Sequence, residues 1–185
     1  MDRYACGDDS AFSELYDLLA PRLSSFAMRR TRDEGATEDL VQQTFLQMHC
    51  ARRHFAPGAA VTPWAFAIAR RLLIDSARRV GHSHVPVSDV DPAALLEEQP
   101  SLEPSPASCA SARRFLQRVE EELERVPQAH REAFALVKLD GISLAEAAQI
   151  LGTTVMAVKL RVHRAVAALE ERLGPEVREE FAEWA

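Results

Sequence analysis

Glycine, cysteine and long apolar runs are all scarce in this chain, and each scarcity excludes something. Only 7 of the 185 residues are glycine, while Ala, Leu, Glu and Arg dominate, a balance that favours helix over sheet. The three cysteines, Cys6, Cys50 and Cys109, are odd in number and far apart in the chain. No pair of them has zinc-ligand spacing, so reduced thiols and no bound metal are expected. No apolar run approaches the roughly 18 residues that a membrane span requires. No signal-peptide pattern is present either, which points to a soluble, cytoplasmic chain without membrane insertion. Paired carboxylates, a nucleophile beside a base and a glycine-rich phosphate loop are also missing, so neither an enzyme nor a cofactor is expected.

Excess positive charge is lacking too. The formal net charge is −6, with 22 Lys and Arg against 28 Asp and Glu. Taken alone, that argues against a free-standing nucleic-acid binder, which needs clustered cations for phosphate contacts. The acidity is concentrated, however. Residues 80–112 hold no Lys or Arg but carry Asp89, Asp91, Glu97, Glu98 and Glu103, so the flanking segments are close to balanced.

What is present is a helical pattern in two blocks. Hydrophobic residues make up 47% of the chain, enough to bury a core. The first block, within residues 1–79, becomes helical from about Ser10, with Leu15, Leu18 and Leu19 at helical spacing. A second helix is expected from Thr37 as N-cap, with Glu38 and Asp39 in its first turn, running to about Arg53. Ala56-Pro57-Gly58 breaks the chain. A third helix is expected with Thr62 as cap and Pro63 at its first position, where proline lacks no needed donor. Residues 80–112 are rich in Pro, Ser and acid, a composition too poor in apolar surface to offset ordering entropy, and read as a flexible linker. Helical pattern resumes at Arg113 in pieces separated by Pro127, Gly141 and Gly152, to the stop at Gly174-Pro175. Residues 175–185 form a tail in which Phe181 and Trp184 lie on one amphipathic turn. The expected fold class is therefore all-α, with two small helical domains (1–79 and 113–174), the linker between them and the tail.

The most informative segment is Ile142–Leu173. Ser143-Leu144-Ala145-Glu146 has the form of a capping box, Gly152 permits a tight turn, and Thr153 or Thr154 can cap the next helix. A short helix, a glycine turn and a longer helix make a helix-turn-helix. On the longer helix Val155, Val158, Val162, Ala165 and Leu169 form an apolar stripe. The opposite side mixes Met156, Leu160, His163, Arg164 and Ala167, with Lys159 at its edge. Cations can reach phosphates or guanine edges, and apolar groups can meet thymine methyls. A solvated surface would be the plainer explanation of the same face.

These residues carry a resemblance. Leu123-Glu124-Arg125-Val126-Pro127, Arg131-Glu132-Ala133-Phe134, Gly141–Ala148, Leu151-Gly152 and Val158–Ala165 together resemble the fourth region of extracytoplasmic-function sigma factors of the bacterial sigma-70 family. Gly7–Phe12, Leu15-Tyr16, Glu38–Leu46, Trp64–Arg71, Leu73-Ile74-Asp75 and Arg78-Arg79 resemble the second region of that family. The order and spacing are the family's own.

The resemblance implies a transcription initiation factor that catalyses nothing itself. Its second region would bind core RNA polymerase on the coiled-coil of the largest-subunit clamp, through Asp39, Gln42, Gln43, Leu46 and Gln47, with Val41, Phe45 and Met48 facing inward. The loop from about His54 to Thr62 would receive a base flipped from the minus-ten element of promoter DNA. Trp64, Arg70, Arg71, Arg78 and Arg79 would hold the melted strand. The fourth region, on the polymerase flap, would read the minus-thirty-five element through Thr154, Met156, Lys159, Leu160, His163 and Arg164. Polymerase would then supply much of the positive surface that the chain lacks. An anti-sigma factor lodged between the two domains would be the regulatory partner. Departures from the family pattern fall at Arg71, where asparagine is common, at Ala65, where a bulky residue is common, in the small loop Ala59-Ala60-Val61, and at Met156 and Leu160. They bear on which promoter is chosen. The alternative is a helix-turn-helix activator acting on duplex DNA without polymerase, which would lack the Trp64–Arg79 segment.

Overall fold

The computed structural model describes residues 1–80 and 106–181, without the side chains of 79–80, 106–113 and 179–180. Among the described residues all regular structure is helical, and the chain divides into two compact units, Met1–Leu96 and Glu97–Ala185. The linker expected over 80–112 lies largely outside the described residues, as does Trp184.

The first unit contains α1 (Asp2–Ala5), α2 (Ala11–Thr31), α3 (Glu34–Ala51), a 3-10 turn (Arg52–His54) and α4 (Val61–Val80). Helix α2 buries Ala11, Leu15, Leu19, Leu23, Phe26 and Ala27, the 3.6-residue recurrence that puts one stripe against a core. Leu18, expected in that stripe, is exposed instead, because it points about 100° away from the middle of the line through Leu15, Leu19 and Leu23. Helix α3 answers with Leu40, Val41, Phe45 and Met48, and α4 with Ala65, Phe66 and Ala69. Phe26 and Phe66 meet edge to face at 5.1 Å between ring centroids. The buried Thr44 hydroxyl donates to the Leu40 carbonyl one turn back at 2.7 Å, which satisfies that donor inside the core.

Two helix starts differ from the sequence expectation. Helix α3 is capped by Asp33, whose carboxylate accepts the Ala36 amide at 2.7 Å, and not by Thr37. A carboxylate both accepts that hydrogen bond and complements the positive helix end, so it draws Glu34-Gly35-Ala36 into the helix. Thr37 is then buried, with its hydroxyl 2.8 Å from that of Thr31. Helix α4 begins at Val61, one residue before the expected cap Thr62.

The second unit contains α5 (Pro106–Leu123), α6 (Gln128–Phe134) continuing into a π-helical stretch (Ala135–Leu139), α7 (Leu144–Leu151), α8 (Val155–Leu173) and α9 (Glu176–Phe181). Helix α5 starts at Pro106 rather than Arg113, since Pro is well placed in a first turn and Ala107–Ala112 have small side chains that accept a helix. The core comprises Val119, Leu123, Val126, Phe134, Ala165, Leu169 and Val177. Val177 belongs to α9 and is fully buried. Phe181 packs on Phe134 at 5.1 Å and stacks on Phe115 at 6.4 Å, so the tail supplies part of this core.

Candidate nucleic-acid interface

Local chemistry builds the α7–turn–α8 pair. Ser143 Oγ accepts the Glu146 amide at 3.2 Å, and Glu146 Oε2 accepts the Ser143 amide at 3.1 Å and its hydroxyl at 2.7 Å. This reciprocal cap fixes where α7 begins. Gly152 closes α7 in the left-handed region, at φ 61°, a conformation that costs glycine little. Thr154, not Thr153, caps α8, its Oγ1 accepting the Ala157 amide at 3.2 Å.

Helix α8 then turns Val158, Val162, Ala165 and Leu169 into the core. Val155, expected in the same stripe, is exposed; it stands in the first turn, ahead of the point where α8 meets its neighbours. The opposite face is open: Met156 is 73% exposed and Leu160 46%, and Lys159, His163, Arg164, Ala167 and Thr154 are exposed beside them. No described residue forms an ion pair with Lys159, His163 or Arg164. Cations held on a rigid helix without internal partners keep their full attraction for an external anion. The face can therefore contact phosphates and base edges together.

On the first unit α3 turns Asp39, Gln42, Gln43 and Leu46 to solvent, with Gln47 half-buried. Leu46 is 53% exposed, as are Tyr16 at 47% and Leu18 at 55% on α2. Tyr16 rests on Phe45 with ring centroids 4.9 Å apart. The exposure of Tyr16 and Leu18 was not foreseen, because a helix start rich in apolar residues gives no sign of which of them the neighbouring helix will reach.

Helix α4 carries the basic residues. Arg71 and Arg78 are exposed, and both lie near the Asp75 carboxylate, at 3.9 and 4.0 Å, surface pairs worth little and easily exchanged for other anions. Arg70 is half-buried; the Arg79 side chain lies outside the described residues. Trp64 is half-buried, its ring 5.0 Å from Phe55. Between the 3-10 turn and α4 runs a loop in which Phe55 is buried while Ala56, Pro57, Gly58, Ala59 and Ala60 are exposed. The Gly58 amide donates to the Asp2 carboxylate, 3.3 Å from each oxygen. Sequence reasoning missed α1 altogether: four residues are too short for any periodicity. Among the described residues no helix is long and apolar enough to cross a membrane.

Residues 15–82 match the family model Sigma-70 region 2, and residues 116–169 match Sigma-70, region 4. The chain is similar to the ECF RNA polymerase sigma factor SigF of Caulobacter vibrioides, with 37% identity over 90% of this chain and 88% of that protein. It is also similar to the RNA polymerase sigma factor CarQ of Myxococcus xanthus, at 33% over 94% of this chain and 95% of the other. Among solved structures it resembles the sigma factor RpoE in complex with the anti-sigma factor NepR from Bartonella quintana. There the identity is 26%, the TM-score 0.59, and the coverage 86% of this chain and 94% of that one.

Proposed function

The chain belongs to the extracytoplasmic-function sigma factors of the sigma-70 family, and from that premise we propose that it is a dissociable specificity subunit of RNA polymerase, without catalytic activity of its own. The first unit binds the core enzyme through the outer face of α3, with Asp39, Gln42, Gln43, Leu46 and Gln47 on the clamp coiled-coil. Exposed Leu46 among polar neighbours suits such a contact, since an apolar anchor inside a polar rim is the usual anatomy of an interface. The loop before α4 receives a flipped minus-ten base, next to Trp64, and Arg70, Arg71, Arg78 and Arg79 follow the melted strand. The cost of unstacking that base is a few kcal/mol, recovered by contacts on the protein.

The second unit reads the minus-thirty-five element through Thr154, Met156, Lys159, Leu160, His163 and Arg164. The observation that carries this reading is the open, unpaired cationic and apolar face of α8, on a chain that also contains region 2. An activator independent of polymerase would have no use for residues 15–82. The net charge of −6 fits a factor that binds promoters as part of a larger, basic complex. The relative solved with an anti-sigma factor supports control of this chain by a partner of that class.

Reconstitution with core bacterial polymerase tests the proposal. A stable complex at moderate salt, and transcription from promoters selected out of a randomised library, are expected. Leu46→Glu should weaken the complex by at least tenfold, about 1.4 kcal/mol, without changing the melting temperature, because Leu46 is half in solvent already. Absence of any complex with the core enzyme would refute the assignment.

A further inference from the structure

We propose that α1 is a positioning element for the loop between the 3-10 turn and α4, and that Asp2 and Tyr4 set the shape in which that loop meets a base. The inference rests on the role given above to the loop. The loop has little means of holding its own shape. Its exposed residues are Ala56, Pro57, Gly58, Ala59 and Ala60, none with a polar side chain. One internal turn bond, from the Ala59 amide to the Ala56 carbonyl at 3.1 Å, closes it. Gly58 at its crown stands at φ 73°, in the left-handed region. Without an outside brace such a segment samples many conformations, and a bound base would bear the cost of ordering it.

Helix α1 supplies the brace at three points. At the crown the Asp2 carboxylate takes the Gly58 amide, 56 residues away in the chain. At the leading foot, Tyr4 is buried and its hydroxyl lies 2.5 Å from His49 Nδ1. Arg52, the first residue of the 3-10 turn, donates to His49 Nε2 at 2.9 Å and to the His49 carbonyl at 2.8 Å. Its guanidinium stands 5.7 Å from the Tyr4 ring centroid. An arginine can only donate, so Nε2 accepts and Nδ1–H is turned to the Tyr4 oxygen. At the trailing foot, Val61 packs against the cluster of Tyr4, Ala11 and Leu15. Arg3 of α1 also pairs with Glu14 of α2 and with Asp8 in the turn before it, at 2.8 Å each. Loop and brace are thus tied to the same rigid helix.

The test uses the full chain in reconstituted holoenzyme, a promoter library randomised across both elements, and three variants. Asp2→Ala removes the acceptor, Asp2→Asn keeps an acceptor oxygen, and Ala59→Asp alters the loop directly. Asp2→Ala is expected to leave core binding and melting temperature unchanged and to speed hydrogen exchange at the Gly58 amide. It should also reduce the discrimination among minus-ten bases by roughly fivefold, the loss of one modest hydrogen bond. Asp2→Asn should restore most of that discrimination. If Ala59→Asp shifts the base preference and Asp2→Ala does not, the brace is refuted and the loop's role stands. If Ala59→Asp also leaves the preference unchanged, the loop is not the reader and the inference falls with it. A drop in melting temperature that accounts for the whole effect of Asp2→Ala would reduce Asp2 to an ordinary structural residue and overturn the positioning role.

Discussion

Removing α9 should dismantle the DNA-reading unit, although none of its residues lies on the α8 face. Consider a chain ending at Gly174. It loses Val177, fully buried among Val119, Phe134 and Leu169, and burial of a valine is worth about 1.5–3 kcal/mol. It loses the edge-to-face contact of Phe181 on Phe134, about 0.5–1.5 kcal/mol beyond area. It also loses the Phe181 carbonyl that accepts from Lys138 Nζ at 2.6 Å, about 1 kcal/mol. The expected cost is about 3–5 kcal/mol, allowing for contacts that share neighbours and do not add fully. A small unit has about 5 kcal/mol to lose, so about 0–2 kcal/mol remains and the unfolded share of the second unit should rise to between a few per cent and about half. Hydrogen exchange followed by mass spectrometry reads this directly: peptides spanning Val119, Phe134 and Leu169 should lose protection, while those spanning Leu19 and Phe66 keep it. Promoter binding that depends on the minus-thirty-five element should fall with it, and core binding should remain. Unchanged protection around Phe134 in the truncated chain would refute the claim that α9 is part of this core.

Two further outcomes follow from single side chains. Lys159→Ala and Arg164→Ala should each weaken minus-thirty-five recognition by about 1–3 kcal/mol for a base-edge contact, or lower the salt slope of binding by about 1 for a phosphate contact. Core affinity and melting temperature should not move, because both side chains are exposed and unpaired; an equal loss of core binding would contradict the face assignment. Burial pushes the Lys138 amine below its ordinary value of 10.5. Between the lowered value and 10.5 the unfolded chain therefore binds more protons than the folded one, and Lys138 makes the second unit more stable as pH rises through that window. Melting temperatures of the native chain and of Lys138→Met, measured from pH 8 upward, should show this rise only in the native chain; parallel curves would refute it.

Features whose determinants lie within a few residues were legible in the sequence. The capping box at Ser143 and Glu146, the Gly152 turn and the α8 stripe from Val158 to Leu169 all depend on contacts inside one or two turns. The outer residues of α3 and the open residues of α8 were legible for the same reason, since the helical period puts them opposite a clear apolar stripe. Where two local signals competed, the outcome was not legible. Thr37 was the cap expected, and Asp33, a stronger acceptor four residues earlier, took that place. At Val155 the period was right but the neighbour did not extend far enough to cover it, whereas Leu18 lies off the line through Leu15, Leu19 and Leu23 and stays in solvent.

By itself the sequence determined the helical class, the two blocks and the faces of their principal helices, because propensity, period and capping act over short distances along the chain. It also carried the marks of both sigma regions, from which polymerase and promoter followed. Tertiary structure alone decided which residues support those faces. The scarcity of glycine favoured helices, yet one of the few glycines, Gly58, receives its partner from Asp2, and the tail beyond Gly174 fills the core with Val177 and Phe181. Both contacts join segments far apart in sequence, and only the packing of the intervening helices brings them within reach.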